Sequence, residues 1–301
     1  MGRKQKLRQE RKIKNKNPTS AVVTTAPEAT SEGILSAAAI QAIVKEIDSV
    51  FPKSDEFVQA TMDTELHTNE QYALLKQGAI EHGCIQSMLF LGEGHCNPMY
   101  LHPWLLEGAI RGSYRCIMHL IGKCYMHQAE PKMNRNADVL YGYWGKIATN
   151  IDTRLCPPIA LNVLKDRLGR KCAICSKTDT KTFTLKQCEG CSVYCYCSEG
   201  CQTIHWKEHN HRGECKQLRI LIKYHKPYAK AIRDAAIRGD IHPALEKLQY
   251  KLGLTRPLED YQEIDNTHDA KLINPKDYFV ARDDGTVWVG SIPSTACVSR
   301  K

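Results

Sequence analysis

A chain of 301 residues has room for two compact domains and tails. With 42% apolar and 25% charged residues it has the composition of folded globular proteins, which excludes collagen, wholesale disorder and a membrane bundle. The net charge of +9 is concentrated: residues 1–20 hold eight basic side chains against Glu10, a balance of +7, and the other 281 residues carry only +2, so a basic tail is indicated and a basic domain face is not.

The tail carries Arg3, Lys4, Lys6, Arg8, Arg11, Lys12, Lys14 and Lys16. Such a run binds polyanions by counterion release, serves as a nuclear address, or is simply solvated. Gly2 is followed by Lys6 where a myristoylation motif needs Ser or Thr. The first twenty residues are too charged for the apolar segment of a secretory signal, and no window approaches 18 apolar residues. The expectation is an intracellular protein, nuclear or cytoplasmic, without membrane association. From Asn17 to Gly33 there is almost nothing to bury, so residues 1–33 read as a basic disordered tail and linker.

Residues 34–160 read as α-helical. Ser36 can cap a helix whose apolar positions Ile40, Ile43, Val44, Ile47, Val50 and Phe51 keep the i, i+3, i+4, i+7 spacing, with Pro52 as its stop. The opposite face is poor in basic residues, which suits core packing and not a membrane surface. Thr68 and Gln71 read as a capping box. Behind it Ala79, Gly83, Ser87, Leu91 and Gly92 are echoed 29 or 30 residues later by Ala109, Gly112, Cys116, Leu120 and Gly122, and a partial third copy begins at Trp144, Lys146, Ile147 and Ala148. The pattern resembles helix-pair repeats related to tetratricopeptide repeats. That resemblance implies stacked hairpins with a concave peptide-binding surface; the plain alternative is an ordinary helical bundle. Cys156, Pro157 and Pro158 break the pattern, and Leu161 to Leu168 lead into Gly169, which sets a boundary near 155–170.

Fourteen cysteines spread evenly would leave about two in any 44-residue stretch, yet eight lie between Cys172 and Cys215. A reducing compartment disfavours disulfides, which leaves metal as the cause. The ligand-capable side chains run Cys172-x2-Cys175, twelve residues, Cys188-x2-Cys191, five residues, Cys197-x3-Cys201, then His209, His211 and Cys215. Each Cys-x2-Cys turn sets two thiolates close enough to share one tetrahedral ion with Zn–S bonds of about 2.3 Å. Four pairs mean two ions, and the first pair with the third, and the second with the fourth, can close two interleaved sites. Thiolates with one imidazole favour zinc over magnesium or calcium, an iron–sulfur cluster being the other soft option. Both zinc sites would be closed and structural, with no position open for catalysis.

Over residues 172–215 the run resembles the MYND-type zinc finger, through the paired ligands together with Tyr196, Cys197, Ser198, Cys201, Gln202 and Trp206. The resemblance covers about a seventh of the chain. It implies a cross-brace, with Cys172, Cys175, Cys197 and Cys201 on one zinc and Cys188, Cys191, a histidine and Cys215 on the other. It also implies a non-catalytic module that grips short proline-containing peptides of other proteins. The family's seven-residue gap after the sixth ligand fits His209, and its three-residue gap before the last cysteine fits His211. Side chains at i and i+4 share a helix face about 6 Å apart, so His211 is the expected ligand and His209 the alternative. On a helix running on from Cys201, either lies roughly 12 to 15 Å along the axis and so reaches a second ion. His205 reads as a surface or packing histidine and Cys195 as a spare buried thiol. Two closed sites would carry −3 together, and residues 170–219 offer nine Lys or Arg against five Asp or Glu, which favours the thiolates. Tyr194, Tyr196 and Trp206 are candidates for the peptide face, with Trp206 assigned to the finger's small core.

With the finger at 170–217, residues 218–301 read as a helical C-terminal region. Leu218, Leu221, Ile222, Ile232, Ala235 and Ala236 keep a helical period broken or kinked at Pro227. Asp240, with Pro243, opens a further helix carrying Leu245, Leu248 and Leu252 before Gly253. Phe279–Ala281 and Thr286–Val289 flank Asp283, Asp284 and Gly285 as a possible small hairpin, which must dock to persist. Some proteins with this finger are SET-type lysine methyltransferases, but the 86 residues after Cys215 lack an Asn-His-x-Cys signature, and Gly94 to Pro98 resemble it only faintly. No P-loop, dinucleotide glycine motif or nucleophile elbow appears. Cys84, Cys96, Cys116, Cys124, Cys156 and Cys297 lack pair spacing and read as small buried hydrophobes. The expectation is a mainly α protein holding two structural zinc ions, with no catalytic or other cofactor site, that acts as a protein–protein interaction adaptor in transcriptional or other regulatory complexes. The alternatives are a nucleic-acid-associated factor using the tail and a lysine methyltransferase.

Overall fold

The computed structural model describes residues 36–63, 65–94, 98–125, 137–155, 170–209, 211–255, 279–282 and 284–289. The chain divides into two units, Met1–Ala37 and Ala38–Lys301, and the second holds the hydrophobic core and the finger. The expectations for the basic tail and linker, for Cys96, Cys156, Pro157, Pro158 and Cys297, and for Leu161 to Leu168 lie outside the described residues.

Among the described residues eleven α-helices dominate. The first, α1 (Ala37–Asp48), buries Ile47, leaves Ile40 42% exposed and ends short of Val50 and Phe51, ahead of Pro52. The carboxylate of its last residue, Asp48, accepts from Ser113 Oγ at 2.8 Å, Tyr114 N at 2.9 Å and Arg115 N at 2.9 Å, capping the N-terminus of α6 (Tyr114–His119). Ser54 caps α2 (Asp55–Met62) by accepting from Phe57 N. In α3 (Thr68–Glu81) the cap is His67, whose N–H donates to the Glu70 carboxylate, so Thr68 and Gln71 are not the capping pair. Gln71 instead donates from Nε2 to Ala60 O at 2.7 Å, tying α3 to α2.

Two helical hairpins lie along the echoed positions. Between α3 and α4 (Ile85–Gly94) the chain turns through Gly83 at φ 62°, and between α5 (Pro98–Ile110) and α6 through Gly112 at φ 82°, left-handed positions that favour glycine. A Cβ at Gly78 would strike Ser87 Oγ, and one at Gly108 would strike Cys116 Sγ, so both hairpins close on a glycine facing a small side chain. Trp144 to Ala148 lie on α7 (Asp138–Ile151), a single helix followed by a 3₁₀ turn at Thr153–Leu155.

The finger comes next, with strands β1 (Lys186–Gln187) and β2 (Cys195–Tyr196) paired antiparallel, then α8 (Glu199–Glu208) and α9 (His211–Ile220). The helix carrying Cys201 does not reach the last ligand pair: it ends at Glu208 with His209 as its cap, and a new helix starts at His211. From Cys215, α9 continues past residue 217 into a π-helical stretch, Leu221–His225, so the boundary drawn at 217/218 falls inside a helix. Lys226–Tyr228 turn at Pro227 into α10 (Ala229–Arg238), which ends at Gly239 with φ 79°. The cap of α11 (Pro243–Lys251) is His242, not Asp240, its Nδ1 accepting from Ala244 N at 3.1 Å. Strands β3 (Phe279–Ala281) and β4 (Val287–Val289) pair antiparallel, Val280 opposite Trp288, and the hairpin docks on α9 with Val287 buried. One apolar core joins Leu106, Ile117, Trp144, Leu221 and Leu248 of the helical body to Tyr196 and Cys215 of the finger.

Candidate metal centre

Both Cys-x2-Cys turns are built alike. Ser176 N donates to Cys172 O at 3.0 Å and Ser192 N to Cys188 O at 2.8 Å, and each serine, placed directly after the second cysteine, sits in the left-handed region at φ 59° and 55°. That turn aims two sulfurs the same way. The third pair rides on α8, whose cap Ser198 accepts from Cys201 N at 3.2 Å, and the fourth stands one turn apart on α9.

The turns and helices gather two donor sets, Cys172, Cys175, Cys197 and Cys201, and Cys188, Cys191, His211 and Cys215; within each, the ligand atoms lie within 4.8 Å of one another. In the first set the Sγ atoms of Cys175 and Cys197 are 3.4 Å apart and those of Cys197 and Cys201 3.5 Å. In the second, His211 Nε2 is 3.3 Å from Cys188 Sγ and 3.8 Å from Cys191 Sγ, with Cys188 and Cys215 4.0 Å apart. A tetrahedral ion with Zn–S bonds of about 2.3 Å sets its donors about 3.8 Å apart. A disulfide needs about 2.05 Å, and all these cysteines are free. Both sets therefore fit zinc, and the pairs interleave as a cross-brace.

The local electrostatics favour the thiolate at one cysteine of each Cys-x2-Cys turn, while neighbouring sulfurs push Cys175 and Cys215 the other way. Burial raises the Cys172 pKa, but the backbone N–H groups of Cys175, Cys197 and Ile174 bring it down to about 6. Cys191 is brought down to about 3 by hydrogen bonding with Cys215, against burial, with His211 contributing. Burial opposes a charge on His211, yet Cys191, Glu214 and Cys188 raise it to about 10. Its Nδ1 is buried with no hydrogen-bond partner and lies 4.0 Å from Glu214 Oε2. A proton on Nδ1 facing that carboxylate leaves Nε2 for the metal. Glu214, three residues after His211 and also accepting from Tyr194 Oη at 3.3 Å, was not singled out by the sequence.

His209 closes α8 with its ring 5.8 Å from that of His205, outside both sets. His205 is a packing histidine: it stacks on His211 at 4.8 Å, its Nδ1 meets Tyr196 Oη at 2.9 Å, and burial holds its pKa down to about 3. Cys195 is buried beside Cys172 and Leu185 and belongs to neither set. Cys84, Cys116 and Cys124 are buried, and burial pushes the Cys116 thiol up to about 12. The aromatic assignments reverse: Tyr194 and Tyr196 are 8% and 1% exposed and form the core, whereas Trp206 is 37% exposed.

Fold and site together define a helical protein with a two-zinc cross-brace finger set into its core. Residues 172–215 match the family model of the MYND finger, a non-catalytic zinc-binding domain that commonly binds other proteins. No curated protein and no solved structure gives a significant match to the chain. No helix among the described residues is long and apolar enough to cross a membrane.

Proposed function

We propose that the chain is a non-catalytic, zinc-dependent protein-interaction adaptor of regulatory complexes inside the cell, in nucleus or cytoplasm, and that its finger grips short proline-containing peptides. The observation that carries this reading is Trp206, exposed on α8 beside Gln202 and Thr203 in a shallow cleft, while the finger's tyrosines are turned inward. A flat indole next to an amide suits a proline ring and an adjacent peptide carbonyl. In this reading Cys172, Cys175, Cys197 and Cys201 hold one zinc, and Cys188, Cys191, His211 and Cys215 the other.

Titration of the zinc-loaded chain with short proline-containing peptides tests it. Trp206→Ala is expected to abolish binding with both zinc ions retained, and Cys188→Ser with Cys191→Ser to lose binding together with one zinc. Peptide affinity unchanged in Trp206→Ala rejects the assigned face. Elemental analysis tests the ligands: His209→Gln keeps two zinc ions per chain and His211→Gln loses one, the reverse result moving the ligand to His209.

A further inference from the structure

A second surface lies away from Trp206. Between α7, the finger and the stretch from α9 into α10 runs a groove of about 1270 Å³, larger than the roughly 300–1,000 Å³ of small-molecule sites. Its floor is aliphatic, formed by Ile147 and Ile151 of α7, Val193 of the finger, and Leu218 and Ile222. Ile222 is 45% exposed there. The polar groups at its base are engaged with one another: Tyr143 donates to His225 Nδ1 at 2.7 Å, and His225 Nε2 donates to Ile110 O at 3.1 Å. That base has little left with which to orient a small polar substrate.

The rim is cationic. Lys146 stands on one wall and Lys226 and Lys230 on the other. Lys230 shares Asp234 at 2.6 Å, and Arg233 is turned inward to Gly112 O and Ile47 O. Among the described residues no carboxylate pairs with Lys146 or Lys226. Of the six basic side chains in residues 212–230, Lys226 and Lys230 line the groove.

An aliphatic floor offers no stacking platform for nucleobases, whereas lysines above apolar side chains match carboxylates above apolar side chains. We propose that the groove binds an acidic amphipathic helix of a partner protein, with its apolar stripe on Ile147, Ile151, Leu218 and Ile222 and its carboxylates against Lys146 and Lys226. A helix is about 10 Å across, so a groove of this volume takes roughly three turns.

The probe is a fluorescent helix-forming peptide of about fourteen residues with Leu at i, i+3, i+4 and i+7, Glu at the positions flanking that stripe and Ala or Gln elsewhere, titrated with the zinc-loaded full chain. Binding is expected, about tenfold or more weaker in Lys146→Glu with Lys226→Glu, weakened by salt, kept in Lys226→Arg and indifferent to Trp206→Ala. The variants must keep two zinc ions and the wild-type circular dichroism. The proposal is overturned if the peptide does not bind, if the charge reversals leave its affinity unchanged, or if a Lys-for-Glu peptide binds equally well. Tighter binding of single-stranded DNA, lost on the same reversals, reassigns the face to polyanions and overturns it. So does a dimer that those reversals abolish, which gives the groove to a second copy of the chain.

Discussion

Ser176 and Ser192 occupy a backbone region that costs any residue with a Cβ, and both do so where the turn must present a cysteine sulfur. Neither carries a side-chain bond among the described contacts that glycine would forfeit. Replacing Ser192 by Gly is therefore expected to raise the stability of the zinc-loaded chain by about 0.5 to 1 kcal/mol, and Ser192→Val to lower it, read as midpoints of thermal unfolding. Identical midpoints for all three would show that the turn stores no strain. His225 gives a second expectation at this scale. Burial, opposed by its bond to Ile110 O, pushes its pKa down to about 4. In the unfolded chain the imidazole titrates near 6.5, so between those values the unfolded state binds more protons. The stability owed to the neutral ring is whole above pH ~6.5 and is lost as pH falls through about 4, about 3 kcal/mol in full. The difference in unfolding free energy between wild type and His225→Gln should shrink by that order from pH 7 to 4. A constant difference would mean that the ring titrates freely.

At the scale of elements, Gly190 decides whether the second knuckle can close. A Cβ there would come within 2.5 Å of Cys215 Sγ, brought against it by α9. Gly190→Ala is expected to cost one zinc per chain and leave the first site filled, measured by elemental analysis; two zinc ions in that variant would show that the knuckle can shift aside. Legibility in the sequence obeys one rule here. Features fixed by neighbours along the chain were readable: the Cys-x2-Cys pairs and the one-turn step from His211 to Cys215. Features fixed by distant partners were not. Asp48 caps a helix 65 residues away, Gly190 is constrained by Cys215, and the π-helical stretches Leu120–Tyr125 and Leu221–His225 deliver Tyr125 to His102 and His225 to Tyr143. The break between α8 and α9 belongs to the second kind, since apolar spacing alone did not separate the two helices.

For the molecule as a whole, the two metal sites have different neighbours. In the first, Cys175 is exposed and Cys197 and Cys201 are half-buried, and its apolar surroundings are a small cluster of Leu185, Ile174 and Phe183 that meets the main core through Ala173 and Cys201. In the second, every ligand is buried, and Cys188, Cys191 and Cys215 belong to the core that holds Trp144, Leu221 and Leu248. Structural zinc contributes on the order of 10 to 16 kcal/mol of apparent binding energy, and at the second site that energy is shared with the helical body. A chelator should therefore remove zinc in two phases. The first equivalent is expected to leave quickly with helical circular dichroism almost unchanged. The second should leave slowly and together with the near-ultraviolet signal of Trp144, because α9 cannot release His211 and Cys215 without disturbing its packing on α7. For the same reason Cys188→Ser with Cys191→Ser should lower the unfolding midpoint more than Cys172→Ser with Cys175→Ser. Release of both equivalents in one phase, or equal midpoints for the two double variants, would show that the finger's second site is energetically separate from the body it is embedded in.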